Sequence, residues 1–353
     1  MIGLDIGTTA VKAAWIHRKG NRFIVAGLAR AGIDGASSSD DIAEKTSAAI
    51  HRCVYVLGRR RDVVCGLSGP DVAVRTFELP ALPEKQLASA VELEAAQVCP
   101  FDLHEGAVAY QVLRGPSAKA RRHAHQKGRD KPERTTGILA AAKKGVIERL
   151  RELCTRGETH CVTMDVDGLA LLNCLEACAI RKPTETALVL NVGSAYTNLA
   201  IVSDDELPFV LDIACAGAGI VDHLARSTKA GREAVAAALE GSEESGIAPE
   251  TLRSGLREAC APLAERVLQT IRYQGARKSG PGVDRVLVCG GLAQAQPVIE
   301  TLGDLLDRQV EQWDPLISLP CARAVRKSGL AERGPLFAVA LGLAMRSVRD
   351  VQD

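Results

Sequence analysis

Aromatic side chains are scarce in this sequence. Phe, Tyr and Trp make up 3% of its 353 residues, whereas hydrophobic residues of all types make up 46%. Leu, Val, Ile and Ala must therefore fill the core, and too few rings remain to stack the bases of single-stranded nucleic acid. The formal net charge is +1, so no global field attracts the protein to nucleic acid or to anionic lipid. We expect no nucleic-acid partner.

Long hydrophobic runs are also missing. No apolar stretch approaches the roughly 20 residues that span a bilayer. The first residues, Met1 to Asp5, carry no basic region ahead of an apolar one. We therefore expect a soluble protein that is not exported. A chain of 353 residues is too long for one compact core and suits two domains.

Paired metal-binding cysteines are absent as well. The sequence has 11 cysteines, scattered along the chain without a CxxC pair. Cys174 and Cys178 lie four residues apart on a predicted helix and would supply half of a metal site. No second pair completes that site, so small buried thiols in a reducing compartment are the favoured interpretation.

The predicted elements are strands mixed with helices throughout, which is typical of the α/β class. One helix is predicted from Glu84 to about Val98, with prolines before and after it. Between Arg114 and Arg134, counting both, the chain has eight Lys or Arg, two acids and almost no apolar residue. This composition predicts a disordered basic loop at 115–134 that interrupts a hairpin. The loop is either solvated surface or a site for an acidic partner or anionic lipid.

A strand–turn–strand motif occurs twice in the chain. Leu4 to Thr9 (LDIGTT) resembles Leu190 to Ala195 (LNVGSA). A glycine in a tight turn lets backbone N–H groups point at a phosphate, and neighbouring hydroxyls add donors. Two such turns facing each other across a cleft would hold a polyphosphate from both sides, with Asp5 holding a hydrated Mg²⁺ between them. The repeat predicts a duplicated domain.

Two other glycine pairs fit the same scheme. Gly290 and Gly291 follow an apolar strand and would let the backbone approach a base or a ribose, although an ordinary strand-to-helix turn has the same sequence. Gly217 and Gly219 open a predicted helix, whose N-terminal N–H groups are suited to phosphate binding.

The two hairpins and the Gly-Gly strand resemble the phosphate and adenosine segments of the actin, Hsp70 and sugar-kinase superfamily. Within it, the sequence is similar to the PilM family of type IV pilus assembly proteins, relatives of the cell-division protein FtsA. The resemblance covers nearly the whole chain apart from the basic insertion. It rests on the order of several motifs, namely Leu79–Leu87, Glu92–Leu103, Tyr110–Leu113, Leu139–Lys143, Met164–Leu171, Trp313–Leu316 and Phe337–Arg346.

This resemblance implies an α/β, actin-like fold of two duplicated, ribonuclease H-like lobes. The first lobe is expected at 1–182, with an FtsA/PilM-type inserted subdomain at about 72–161, and the second lobe at 183–335. The last helix, within 336–353, is expected to pack back on the first lobe. ATP and Mg²⁺ would lie in the cleft between the lobes. The implied nucleotide contacts are Asp5, Gly7, Thr8, Thr9, Lys12, Asn191, Gly193, Ser194, Thr197, Gly217, Gly219, Gly290 and Gly291, with Asp5 contacting the metal through water.

The resemblance also implies a role and a partner. The protein would be a cytoplasmic scaffold at the inner face of the cytoplasmic membrane that binds the N-terminus of a PilN-like membrane protein, with pilus motor ATPases as neighbours. The partner peptide is expected in a groove between the first lobe and the inserted subdomain, walled by the helix from Glu84 and its Pro100–Phe101 turn. Phe101 would either contact the peptide or seat the helix on its own sheet.

Departures from the family pattern argue against efficient ATP turnover. Asn191 replaces an aspartate of the second turn, and an amide adds no negative charge for Mg²⁺. Val235 stands where the family has an acid, and its helix has no lysine. Asp167 is a candidate catalytic residue that would orient water, or else the N-cap of the helix that follows it. We expect ATP binding with weak or no hydrolysis.

Two other functions suit the same sequence features. A small-molecule kinase of this fold would need a carboxylate base beside the acceptor hydroxyl, and no separate acidic motif supplies one. The cytoplasmic scaffold of a type II secretion platform would use a similar fold, so only the neighbouring genes would distinguish it from a pilus protein.

Overall fold

Two five-stranded sheets and one smaller sheet organise the molecule. The computed structural model describes residues 2–20, 22–33, 35, 38–58, 61–80, 82–113, 134–204, 206–277 and 282–349. Among these residues the strands are β1 (Ile2–Ile6), β2 (Ala10–Lys19), β3 (Arg22–Gly32), β4 (Asp62–Leu67), β5 (Val72–Pro80), β6 (Gly106–Leu113), β7 (Arg134–Lys143), β8 (His160–Val166), β9 (Ala187–Val192), β10 (Thr197–Val202), β11 (Phe209–Ile213), β12 (Arg285–Gly290) and β13 (Val310–Gln312). The helices are α1 (Ser39–Val56), α2 (Glu84–Val98), α3 (Lys144–Arg156), α4 (Asp167–Cys178), α5 (Gly217–Thr228), α6 (Arg232–Leu239), α7 (Pro249–Arg277), α8 (Gln296–Leu306), α9 (Pro315–Ser318), α10 (Arg323–Lys327) and α11 (Ala338–Arg349).

The two larger sheets have the same topology. Their strand orders are β3-β2-β1-β4-β8 and β11-β10-β9-β12-β13. Each consists of an antiparallel meander followed by two strands that run parallel to the first strand of the meander. The registers also match, because Asp5 pairs with Lys12 in one hairpin and Asn191 pairs with Asn198 in the other. The duplication predicted from the repeated motif is confirmed, and we call the units around these sheets the first and the second lobe.

A three-stranded sheet, with the order β5-β7-β6, interrupts the first lobe between β4 and β8. Helix α2 covers this inserted sheet, burying Leu87 and Val91 against Phe77. The next helix, α3, shares a core with α1 of the first lobe through Leu153 and Cys154. The inserted sheet therefore ends with β7, and the boundary predicted near residue 161 placed α3 in the wrong unit.

The predicted basic loop, 115–134, lies outside the described residues except for Arg134, which begins β7. The two strands that flank it form an antiparallel hairpin in which Leu113 pairs with Thr136. In the described ranges, no helix combines the length and the hydropathy that a membrane span requires.

Two helices, α4 and α11, are sandwiched in the core between the lobes. Their buried residues form one cluster with residues of both larger sheets, among them Ala14 and Val189. Helix α11 also contacts β1, β2 and β4 of the first lobe. Its approach to α4 is close, because a Cβ atom on Gly342 would overlap the backbone of Ala170. The chain therefore returns to the first lobe after completing the second.

Candidate functional site

The turn between β1 and β2 places an ion pair beside a glycine. Lys12 Nζ donates to Asp5 Oδ2 at 2.7 Å, and the N–H of Gly7 donates to the carbonyl of Ala10 at 3.1 Å. A Cβ atom on Gly7 would lie 3.6 Å from Lys12 Nζ, so the ammonium group reaches the turn itself. Thr8 and Thr9 are exposed. The turn therefore combines a cation with two solvent-exposed hydroxyl groups, which suits phosphate binding.

The equivalent turn of the second lobe carries amides where the first carries charges. Asn191 Nδ2 donates to Asn198 Oδ1, and Asn198 Nδ2 donates to Asp212 Oδ1, both at 2.7 Å. Asn191 and Asn198 occupy the positions of Asp5 and Lys12 in the duplicated hairpin. The ion pair of the first lobe is thus replaced by a chain of hydrogen bonds that ends on Asp212.

Asp212 links the two lobes, and sequence reasoning missed it. Its Oδ2 accepts a hydrogen bond of 2.6 Å from the N–H of Gly69, which follows β4 in the first lobe. Gly69 has φ +105°, and a Cβ atom there would lie 3.3 Å from the ring of Tyr196. Burial raises the pKa of Asp212, opposed by the hydrogen bonds from Asn198 and Gly69. The one sequence signal was a single acid within the otherwise apolar β11.

Asp167 is a buried carboxyl group without enough partners. Its Oδ1 has no hydrogen-bond partner among the described residues, and a Cβ atom on Gly66 would overlap this oxygen. Burial raises the pKa of Asp167 well above its usual range, and the charges of Asp5 and Asp212 raise it further; a hydrogen bond with Ser68 opposes the shift. Val166 is the N-cap of α4. The alternative role of Asp167 as the N-cap is therefore wrong.

The Gly-Gly element lies against the second turn. Gly290 has φ +94°, a conformation that favours glycine, and a Cβ atom there would lie 2.6 Å from Asn191 Oδ1. Gly291 caps a short 3₁₀ helix that begins at Leu292. The structure therefore brings Gly290 and Asn191 together, as a shared site requires.

Other predicted contacts are already engaged within the protein. The N–H groups of Gly217 and Ala218 donate to the carbonyls of Gly193 and Ser194 at 2.8 and 2.9 Å, so α5 is bonded to the second turn. Thr197 is fully buried, and its hydroxyl donates to the carbonyl of Cys215 at 2.7 Å. Space around Gly219 is open. Of these residues, Gly219 is the one with room for a ligand beside it.

The charges at the base of the cleft suit a divalent cation. Asp5, Asp167 and Asp212 interact electrostatically, with Lys12 as the neighbouring cation, and Asp167 Oδ1 is unsatisfied. Oxygen ligands of this kind match Mg²⁺, which keeps several waters and uses one or two carboxylates together with phosphate oxygens. Within the described residues no group of three acidic, His or Cys side chains is arranged to hold an ion alone. The residues fit a hydrated ion.

A second concave feature lies between the inserted sheet and the first lobe. This groove has a volume of about 800 Å³. Its walls come from β6 and β7 on one side and from β8 and α4 on the other, and they are mainly apolar. Neither α2 nor Phe101, the walls predicted from the sequence for a partner groove, lines this cavity. Phe101 packs at the start of β6, where a Cβ atom on Gly106 would lie 3.1 Å from its ring.

A family model matches nearly the whole chain. Residues 3–348 match the model of the type IV pilus assembly protein PilM. This chain belongs to the PilM family.

Solved structures share the fold of this PilM-family protein. A structure of the PilM-PilN type IV pilus biogenesis complex is 24% identical, covers 98% of each chain and has a TM-score of 0.78. A diol dehydratase-reactivating factor in nucleotide-free form is 11% identical, covers 99% of each chain and has a TM-score of 0.52. MreB5 of Spiroplasma citri bound to ADP is 12% identical, covers 100% of this chain and 98% of its own, and has a TM-score of 0.51. The predicted actin-like, two-lobe fold is confirmed.

One departure from the PilM family pattern has a structural explanation. Val235 on α6 is fully buried in the core of the second lobe. The exposed acid on this helix is Glu233. An acid at position 235 would be buried in apolar surroundings, so valine suits this position of the fold. Val235 is therefore a core residue of the second lobe, whereas the change at Asn191 lies inside the site.

Proposed function

We propose that this protein is a nucleotide-binding scaffold of type IV pilus assembly whose groove binds a short extended segment of a PilN-like membrane protein. The groove between β6 and β8 is the observation that carries the proposal. The family to which the chain belongs supports the pilus role over a type II secretion platform or a small-molecule kinase. Through such a partner the protein would be held at the inner face of the cytoplasmic membrane, with pilus motor ATPases as further neighbours.

The walls of the groove suit an extended peptide. Strand β6 lies at the edge of the inserted sheet, and β8 lies at the edge of the first sheet. Edge strands carry backbone groups that no neighbouring strand pairs, and these can bind an added strand. Val162 is 48% exposed on β8, and Tyr110 is 37% exposed on β6, so apolar side chains are available for a partner. The amide of Asn173 also lines the groove.

The groove is tested with a synthetic peptide of the N-terminal residues of the PilN-like protein. We expect Val162→Arg to weaken binding at least about tenfold, because a charge would be desolvated in an apolar groove. Val56→Arg is the matched control, since Val56 is 69% exposed on α1 and away from the groove. Phe101→Ala should weaken peptide binding less, because the Phe101 ring packs against the start of β6 and does not line the groove. Unchanged binding by a folded Val162→Arg protein would place the partner elsewhere.

ATP with Mg²⁺ is the ligand we propose for the cleft. Asp5, Lys12 and the Gly7 turn support binding of phosphate and hydrated metal, and Mg²⁺ would neutralise charge on the phosphates. Asn191 supplies no charge opposite them, which supports weak turnover. Asp167 would orient water if hydrolysis takes place.

Calorimetric titration with ATP and Mg²⁺ tests this ligand. Binding is expected for the wild type, and Asp5→Ala should weaken it about tenfold or more, because it removes a charged ligand of the hydrated ion. Asp304→Ala, an exposed acid on α8, is the control. Turnover above about 1 s⁻¹, which is ordinary for an enzyme, would contradict the scaffold.

A further inference from the structure

One turn of the first lobe lies between the cleft and the groove. Residues 68–71, which we call the junction turn, connect β4 to β5. The turn is closed by the N–H of Val72, which donates to the carbonyl of Gly69 at 3.1 Å. The residues that flank it, Leu67 and Val72, both line the groove. A displacement of the junction turn would therefore move part of the groove wall.

On its cleft side the junction turn contacts two buried carboxyl groups. The side chain of Ser68 is hydrogen-bonded to Asp167, and the N–H of Gly69 donates to Asp212 Oδ2 at 2.6 Å. The ring of Tyr196, from the second lobe, covers Gly69, because a Cβ atom there would lie 3.3 Å from it. The junction turn is therefore held from both lobes at the base of the cleft.

A series of hydrogen bonds continues from the junction turn to the second phosphate turn. Asp212 uses one carboxylate oxygen for Gly69 and the other for the amide of Asn198. Asn198 also accepts a hydrogen bond from Asn191. Since Asn198 donates at one end of its amide and accepts at the other, a ligand that reorients Asn191 also disturbs the bond to Asp212. Three hydrogen bonds thus separate Asn191 from Gly69.

On its other side the junction turn is fixed to the inserted sheet. Lys143, the last residue of β7, donates its backbone N–H to the carbonyl of Asp71 at 3.0 Å, and its Nζ lies 2.7 Å from Asp71 Oδ1. Strand β5 also contacts β11 of the second lobe. The second lobe contributes Val202 and Pro208 to the lining of the groove. The shape of the groove therefore depends on how the second lobe is held against the first.

We propose that the junction turn couples the two sites, so that a nucleotide in the cleft and an extended segment in the groove each increase the affinity of the other. This inference rests on the proposed function, which supplies the two ligands. A nucleotide held by both phosphate turns would bridge the lobes, and a segment in the groove would contact both lobes as well. Each ligand would therefore stabilise the arrangement that the other requires. The coupling factor must be the same in both directions.

The experiment titrates the full-length protein with the synthetic peptide, with and without saturating ATP and Mg²⁺. We expect nucleotide to tighten peptide binding at least about fivefold. Asp212→Asn should bring this factor close to one, because one amide oxygen replaces the two oxygens that accept from Asn198 and Gly69. Tyr196→Ala, which uncovers Gly69, is a second variant that should lower the factor. Asp304→Asn, an exposed acid on α8, is the control and should keep the wild-type factor.

The coupling factor is a ratio of two affinities measured on the same variant, so a change that weakens one site alone leaves it unaltered. Equal peptide affinity of the wild type with and without nucleotide would overturn the proposal. So would an Asp212→Asn protein that keeps the full factor.

Amide hydrogen exchange gives a measurement that needs no peptide. ATP with Mg²⁺ should slow exchange in the segment 67–72 of the wild type, because the N–H of Gly69 is held more firmly by Asp212. The same addition should have little effect on this segment in Asp212→Asn. A peptide that fails to bind would contradict the proposed partner alone, and exchange would then decide on the coupling. Equal exchange in the wild type with and without nucleotide would overturn it.

Discussion

Asp167 holds a carboxyl group in the core with one oxygen unsatisfied. Because burial raises its folded pKa above the unfolded value, the folded state binds this proton more tightly. Its contribution to stability is therefore full below the unfolded pKa of about 3.9 and is lost as the pH rises toward the folded pKa. We expect Asp167→Asn to raise the free energy of unfolding at neutral pH by about 1–3 kcal/mol. Urea unfolding from mildly acidic to neutral pH measures it.

Asp167→Asn should also reduce the loss of unfolding free energy that the wild type shows between mildly acidic and neutral pH. Asp304→Asn removes an exposed carboxylate and should change little. A lower stability of Asp167→Asn than of the wild type at neutral pH would contradict this expectation. It would mean that the Asp167 carboxylate is stabilised in solution by a bound cation or by a hydrogen-bond donor.

Asn191 tests why the second turn carries amides. In Asn191→Asp the carboxylate would face Asn198 Oδ1, so the Asn198 amide must rotate and give up its bond to Asp212. We expect the metal-free protein to lose about 1–3 kcal/mol of unfolding free energy. ATP with Mg²⁺ should restore part of this loss, because the added charge can face the hydrated ion.

Thermal unfolding with and without ATP and Mg²⁺ checks this expectation. Asn173→Asp, a change of the same chemistry in the groove, is the control and should not respond to nucleotide. An unchanged melting temperature for metal-free Asn191→Asp would show that the amide chain contributes nothing.

At the scale of elements, the contact between α11 and α4 depends on one missing side chain. A Cβ atom on Gly342 would overlap the backbone of Ala170, whereas one on Gly145 of α3 meets open space. Gly342→Ala should therefore destabilise the protein by about 1–3 kcal/mol through overpacking. Gly145→Ala should leave stability unchanged or raise it by up to about 1 kcal/mol. Denaturant unfolding of both variants gives the comparison, and equal stabilities would mean that α11 docks less closely.

The two hairpins and α2 could be predicted because their signals are local. The apolar run and turn of each hairpin, and the prolines around α2, identify those elements without tertiary information. The packing of α3 on the first lobe was not predictable in this way, since its apolar residues Leu153 and Cys154 could cover either sheet. The same holds for Val235, whose burial depends on the packing of the second lobe.

In the candidate nucleotide site, the residues of the repeated motif could be predicted from the sequence, whereas contacts between distant segments could not. Asp5, Gly7 and Asn191 belong to a repeated motif, so the sequence identifies them. Asp212 meets Gly69 across 143 residues of chain, and no local pattern encodes that contact. Nor does sequence reveal that the Gly217 N–H is already bonded to the Gly193 carbonyl.

At the scale of the whole molecule, the basic segment should be dispensable for folding. Leu113 and Thr136 are paired at the end of the hairpin formed by β6 and β7, and Arg134 and Thr135 of β7 pair with β5. Replacing residues 114–133 with about four Gly, Asn and Ser residues therefore keeps both pairings and shortens the loop. We expect the melting temperature to stay the same or rise slightly, because closing a shorter loop costs less entropy. A fall of several degrees in calorimetry would mean that the segment packs on the protein.

The position of α11 has a consequence for the order in which the protein folds during synthesis. The second lobe is continuous in sequence and can form once its own residues leave the ribosome. The first lobe cannot complete its core at that stage, because Phe337 and Leu341 contribute to it and follow the strands of the second lobe in sequence. At about 5–20 residues per second, the apolar faces of β1 and α4 would remain uncovered for many seconds. Chaperones are therefore expected to bind the first lobe during synthesis, before α11 covers these faces.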